Sequence, residues 1–129
     1  MEQPEKNIPV PVNTIDSVPA KLLYGVDFNG VLQFDYAVRI PVMRDIYDAL
    51  DETEESTGSS TGGKSDIYYR LALLQRTITK LGDIPPEDIT TELLMNELLE
   101  EDYSILDAAQ TDAKKKRREL RSAAEPSGK

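Results

Sequence analysis

Acidic side chains crowd one short stretch of this 129-residue chain: "KLGDIPPEDITT" holds Asp83, Glu87, Asp88 and, one residue on, Glu92. Carboxylates this close could bind a divalent cation or serve as a general acid-base pair. The spacing fits neither role well. A calcium loop alternates oxygen ligands around a glycine over about twelve residues, and no such register is present. Acids near a helix start are expected on other grounds, because they oppose the positive end of the helix dipole. Two further stretches could do chemistry. "GSSTGGKS", Gly58 to Ser65, matches the letter of a phosphate-binding loop with Lys64 as its cation. Such a loop needs a buried strand before it, whereas "DALDETEEST" is acidic and lacks any strand pattern. The run "KKKRR", Lys114 to Arg118, could touch nucleic acid, yet it has no interleaved aromatic residue for base stacking. A cationic helix end, solvated or facing a partner, is the preferred reading.

Composition removes most catalytic alternatives. The chain has no cysteine and no histidine, so it lacks thiolate nucleophiles, disulfides, Cys-based zinc sites and the usual general base at neutral pH. No catalytic residue, metal site or cofactor is therefore expected. At 39% hydrophobic and 30% charged residues, a small core is possible. The formal charge of -9 is uneven: residues 113–129 carry seven Lys/Arg against two Glu, a net +5, so residues 1–112 hold -14. An acidic body argues against a general nucleic-acid partner. No apolar run reaches the roughly 18 residues of a membrane span, and the N-terminus has no basic-then-apolar secretory pattern. No membrane partner is expected, and the cytoplasm is the expected compartment.

The elements that must position these residues follow from periodicity. Residues 1–19 hold four prolines and read as an extended arm. "KLLYGVDFNGVLQFDYAVRI" alternates like a β-hairpin around Asn29-Gly30. A three-residue loop pairing Val26 with Leu32, Tyr24 with Phe34 and Leu22 with Tyr36 is preferred. A two-residue turn would set Val26 against Gln33 and waste the apolar faces. Met43, Ile46, Tyr47 and Leu50 are spaced as one face of a helix of about ten residues. Residues 52–64 read as a flexible linker. Ser65 is placed as the cap of a second helix running to Leu81, with Ile67, Leu71, Leu74, Ile78 and Leu81 as its stripe and Gly82 as its stop. Pro86 opens a single helical turn. Thr90 or Thr91 caps a third helix with Leu93, Leu94, Leu98 and Leu99 inward. Asp102 caps a fourth helix from Tyr103, with Ile105, Leu106, Ala109 and Ala113 inward, ending in a disordered tail over 121–129. The expected fold is a small single α+β domain over residues 20–120: an N-terminal β-hairpin followed by about four α-helices.

So small a domain cannot easily cover every apolar face. Tyr68, Leu71, Leu74, Ile78, Leu94, Leu98 and Tyr103 are the candidates for contacting a partner, and periodicity leaves core and partner surface both open for them.

Three stretches together resemble the tail-assembly chaperones of phages with contractile, Mu-like tails. They are "VRIPVMRDIYDAL" after the hairpin, "YYRLALLQRTITKLGDIPPEDITTELLMNELLEEDY", and the closing "SILDAAQTDAKKKRREL". The linker around "ESTGSSTGG" and the proline-rich arm depart from that pattern. The resemblance implies a non-enzymatic protein of the host cytoplasm that binds the tape-measure protein during tail morphogenesis and is absent from the mature virion. The tail tube protein is a further implied partner, and self-association into a homo-oligomer fits the opposed charges of body and tail. Two other classes remain: a structural tail or head completion protein of the virion, and a small regulatory DNA-binding domain. The second is disfavoured because its recognition helix would begin with the acidic "DYSILDAAQTD".

Overall fold

The computed structural model describes residues 20–124. The expectation for 1–19 falls outside that range, as does 125–129 of the expected disordered tail; residues 121–124 of that tail are helical instead. Strand β1 (Ala20–Phe28) and strand β2 (Val31–Val38) form the hairpin. Helices α1 (Met43–Thr57) and α2 (Gly63–Thr77) follow, then strand β3 (Ile78–Leu81). A 3-10 turn (Pro86–Asp88), helix α3 (Thr91–Glu97) and helix α4 (Glu100–Ala124) complete the described chain. The result is a small α+β domain whose sheet has three antiparallel strands in the order β1-β2-β3.

The hairpin takes the register that apolar matching disfavoured. Phe28 pairs with Val31, Asp27 with Leu32 and Val26 with Gln33, around a two-residue turn. Asn29 and Gly30 both have positive φ, 56° and 83°, as a type I′ turn requires, and that turn matches the twist of its strands. Asp27 Oδ1 also accepts the Gly30 N–H at 2.9 Å. Turn chemistry thus outweighs the pairing of apolar side chains.

The mismatch is absorbed further along β1. Lys21 pairs with Asp35 and Ala20 with Tyr36, so four residues, Leu22 to Gly25, stand opposite the single Phe34. This wide bulge diverts backbone amides from the ladder, and they need other acceptors. Asp102, fully buried on α4, supplies them. Its Oδ1 accepts the Leu23 N–H at 2.7 Å, its Oδ2 accepts the Gly25 N–H at 2.9 Å, and the Tyr24 N–H lies within 3.2 Å of both oxygens. Asp102 is therefore not the cap of α4. The helix begins at Glu100, and the break from α3 falls at Leu98, whose backbone is extended.

Helix α2 ends earlier than its apolar stripe suggests. Residues 78–81 leave it to become β3, with Tyr36 opposite Leu81 and Val38 opposite Ile78. Thr77-Ile78-Thr79 is a β-branched run, favourable in a strand, and the Thr77 hydroxyl bonds back to the carbonyls of Leu73 and Leu74. The free edge of β2 supplies the pairing. Gly82 stops this strand rather than a helix, at φ 57°, and its N–H donates to Asp35 O at 2.6 Å. Gln33, the apparently wasted partner of Val26, accepts the Asp83 N–H through Oε1 at 2.9 Å. It ties the "GD" of the corner to β2.

Other expectations also shift. Residues 52–57 are the C-terminal half of α1, so only 58–62 connect two helices; Gly58, at φ 83°, stops α1 and donates its N–H to Glu54 O. Ser65 lies inside α2, buried, with its hydroxyl 2.9 Å from that of Thr57. Thr90 does cap α3, accepting the Leu93 N–H at 3.1 Å. The core gathers Leu22, Val26, Tyr36 and Val38 from β1 and β2 around Leu71, Leu74, Leu81, Leu94 and Leu106. Along α4, Asp102, Leu106, Gln110 and Ala113 form the inward stripe; Gln110 Nε2 donates to Thr77 Oγ1 at 2.7 Å and to Arg39 O at 3.2 Å.

Substitutions at two positions test this frame by urea unfolding. Asp102→Ala leaves three amides of the bulge without an acceptor and should cost about 3 kcal/mol, with Asp102→Asn nearly as damaging because its amide group meets donors. Unchanged midpoints would contradict the assignment. In Gly82→Ala, the new methyl carbon would lie 2.0 Å from Gln33 Oε1 and 2.6 Å from its Cβ, so a loss of about 1–3 kcal/mol is expected.

Candidate protein-interaction site

Helix α1 carries its polar residues inward. Asp45, Ala49 and Thr53 are its buried positions, while Met43, Tyr47 and Leu50 are exposed, Met43 by 76% and Tyr47 by 66%. The inward face is held by charge. Arg39 forms a two-bonded pair with Asp45, 2.8 Å at each oxygen, and also donates to Arg76 O at 2.9 Å. Asp45 further accepts the Val42 N–H at 2.8 Å, which closes the helix start. The bonds from Arg39 hold the Asp45 carboxyl below its usual range, against an opposing push from burial, with the Val42 N–H adding to the effect.

About two turns along α1, Glu52 repeats the arrangement. Its oxygens accept from Arg76 at 2.8 Å and from the Tyr68 hydroxyl at 2.6 Å. Burial pushes the Glu52 carboxyl up, but the bonds from Tyr68 and Arg76 outweigh it and the net displacement is downward. The buried Thr91 hydroxyl lies near enough to favour the ionised form without completing a well-formed bond. Burial, then the Glu52 carboxylate, raises the Tyr68 phenol. Tyr68 is half-buried, and its hydroxyl is engaged by Glu52 within the domain.

A groove opens where α2, α3 and α4 meet, with a cavity of about 360 Å³. Leu71 and Leu94, both buried, make its floor; Leu98 and Tyr103, both half-buried, make a wall. Burial raises the Tyr103 phenol, with Asp107 adding to the shift and Arg70 opposing it. Ile67, 53% exposed, and Met95, 40% exposed, form the rim together with the oppositely charged Arg70 and Glu100. Of the seven residues singled out from sequence, the groove brings together Leu71, Leu94, Leu98 and Tyr103. Leu74 and Ile78 belong to the core and do not reach it. Ile67, Arg70, Met95 and Glu100 escaped the sequence reading. Ile67 continues the stripe of α2 and reads as core, while Met95 lies within the leucine run of a helix only seven residues long and Glu100 lies just beyond it.

The stretches weighed for chemistry take ordinary places. Asp83, Glu87, Asp88 and Glu92 are all exposed, and among the described residues no three His, Cys, Asp or Glu side chains converge as a metal site would require. A helix, not a strand, precedes the "GSSTGGKS" loop, and Lys64 is exposed, so the strand-loop-helix setting of a phosphate loop is missing. Lys114 to Arg118 lie on the exposed C-terminal half of α4. No described helix is long and apolar enough to cross a membrane. No family model, curated protein or solved structure matches this chain.

The carboxylate shifts give a pH prediction. A carboxyl lowered by folding adds stability above its unfolded value, about 4, and loses it as pH falls through the folded value. Asp45→Asn should therefore cost about 1–2 kcal/mol at pH 7, with the deficit shrinking between about pH 5 and pH 2. A deficit constant across that range would contradict the ion pair's role.

Proposed function

We propose that this chain is a non-catalytic assembly chaperone that binds an apolar, helical segment of a tape-measure-type client during tail morphogenesis. The observation that carries the reading is the groove between α2, α3 and α4: an apolar floor and wall, a rim of exposed Ile67 and Met95, and one charge of each sign. Such a groove accepts one face of an amphipathic helix, with i, i+3, i+4 side chains seated on Leu71 and Leu94. Met95 is suited to clients of varied sequence, because its flexible thioether adapts to different surfaces. The charge of -9 would help to keep a client with exposed apolar stripes from aggregating. The resemblance of residues 20 to 120 to the tail-assembly chaperones of Mu-like phages supplies the client's identity, and the tail tube protein is a second partner on the same ground. Binding in the host cytoplasm before the tube closes, and absence from the finished particle, belong to this reading.

Co-expression with a tape-measure protein, followed by affinity capture, tests it. Wild type should retain the client, and a Met95→Asp, Ile67→Asp pair should lose it by about tenfold or more with unchanged thermal melting, since both positions are exposed. Failure of the wild-type chain to capture the client would end the proposal. Persistence of the chain in purified particles by mass spectrometry would favour a structural virion component instead.

A further inference from the structure

The outward face of α1 is a second apolar surface, separate from the groove. Exposed Met43, Tyr47 and Leu50 and half-buried Ile46 fall within an arc of about 100° on the helix, and exposed Val42 extends the patch at its start. A helix that packs on its own domain ordinarily turns such a stripe inward. Here the inward positions are Asp45, Ala49 and Thr53, fixed by Arg39 and the Glu52–Arg76 pair, so the stripe is held outward by specific bonds.

The charges beside the stripe indicate what covers it. Arg44 lies at its N-terminal end, stacked 5.2 Å above the Tyr47 ring and 3.6 Å from Asp48. Asp51 lies on the same flank, seven residues further on, with Glu54 and Glu55 beyond it. Arg44 is three residues before Tyr47 and Asp51 is four after it. Two copies of α1 laid antiparallel with Tyr47 at the two-fold axis therefore place Arg44 of each copy beside Asp51 of the other. The same arrangement sets the two helix dipoles in opposition. A parallel pairing would put Arg44 against Arg44 and the acids against themselves. The stripe is self-complementary in one orientation only.

We propose that α1 is the interface of a homodimer, antiparallel and centred on Tyr47. The contact spans about two turns, roughly 10 Å of helix, so it belongs to the weak end of specific interfaces. This inference does not rest on the client-binding reading.

Sedimentation of the full-length chain from about 10 µM to about 500 µM should show a reversible monomer–dimer equilibrium. Tyr47→Asp should weaken it about tenfold or more without altering the melting curve, because the side chain is 66% exposed. Arg44→Asp and Asp51→Arg should each weaken it by about tenfold, and the double exchange should restore it to within about threefold. The chain has no cysteine of its own, so a single Tyr47→Cys variant gives a clean readout of orientation. It should form a disulfide dimer on mild oxidation, while Glu55→Cys, about 24 Å from its counterpart in the antiparallel pair, should not. A chain that stays monomeric throughout, a dimer indifferent to Tyr47→Asp, or equal cross-linking at both positions would each overturn the proposal.

Discussion

One carboxylate decides how the sheet and the last helix fit together. Asn29-Gly30 enforces a two-residue turn, and that turn puts Val26 opposite Gln33 rather than opposite an apolar side chain. Closing the sheet with Leu22 and Tyr36 in the core then requires surplus residues in β1, and the surplus leaves amides without partners. Asp102 accepts from Leu23, Tyr24 and Gly25 at once. A fully buried carboxylate is costly unless its oxygens are satisfied, and unpaired amides are costly unless they find an acceptor. Each problem answers the other. The same bond fixes the start of α4, from which Leu106 and Gln110 descend to the core and to the junction of β2 with α2.

Polar contacts play a comparable part at α1. Arg39–Asp45 and Glu52–Arg76 hold the helix by its small and charged residues, and its large apolar residues are left outside. For a chain proposed to work by association, this is an economical layout. The groove between α2, α3 and α4 and the stripe on α1 offer two separate apolar surfaces, and the part-buried ion pairs keep the stripe from turning into the core. The net charge of -9 opposes nonspecific aggregation.

The fold class and the order of the hairpin and the helices were legible in the sequence, because turn residues and helical periodicity carry that information locally. The NG turn, the Thr90 cap and the corner at Pro85-Pro86 each act within a few residues. What escaped depends on distant partners. Asp102 looks like a helix cap until the amides of β1, nearly eighty residues earlier, are brought to it. Residues 78–81 continue a helical stripe, and only the open edge of β2 makes them a strand. The stripe on α1 was visible, but its direction was not, since periodicity does not say which face the ion pairs will claim. Half of the groove was legible for the same reason. Leucines at helical spacing name its floor, while Arg70, Met95 and Glu100 become its rim only when three helices meet.

Native-state amide hydrogen exchange tests the central claim most directly. Leu23, Tyr24 and Gly25 have left the regular ladder of the hairpin, so their protection depends on Asp102. These three amides should exchange only on global unfolding, as slowly as the core amides of β2, and more slowly than the exposed turn at Asn29-Gly30. Exchange at the rate of the turn would show that the bulge stands free of α4, and the account of how this chain closes its sheet would be wrong.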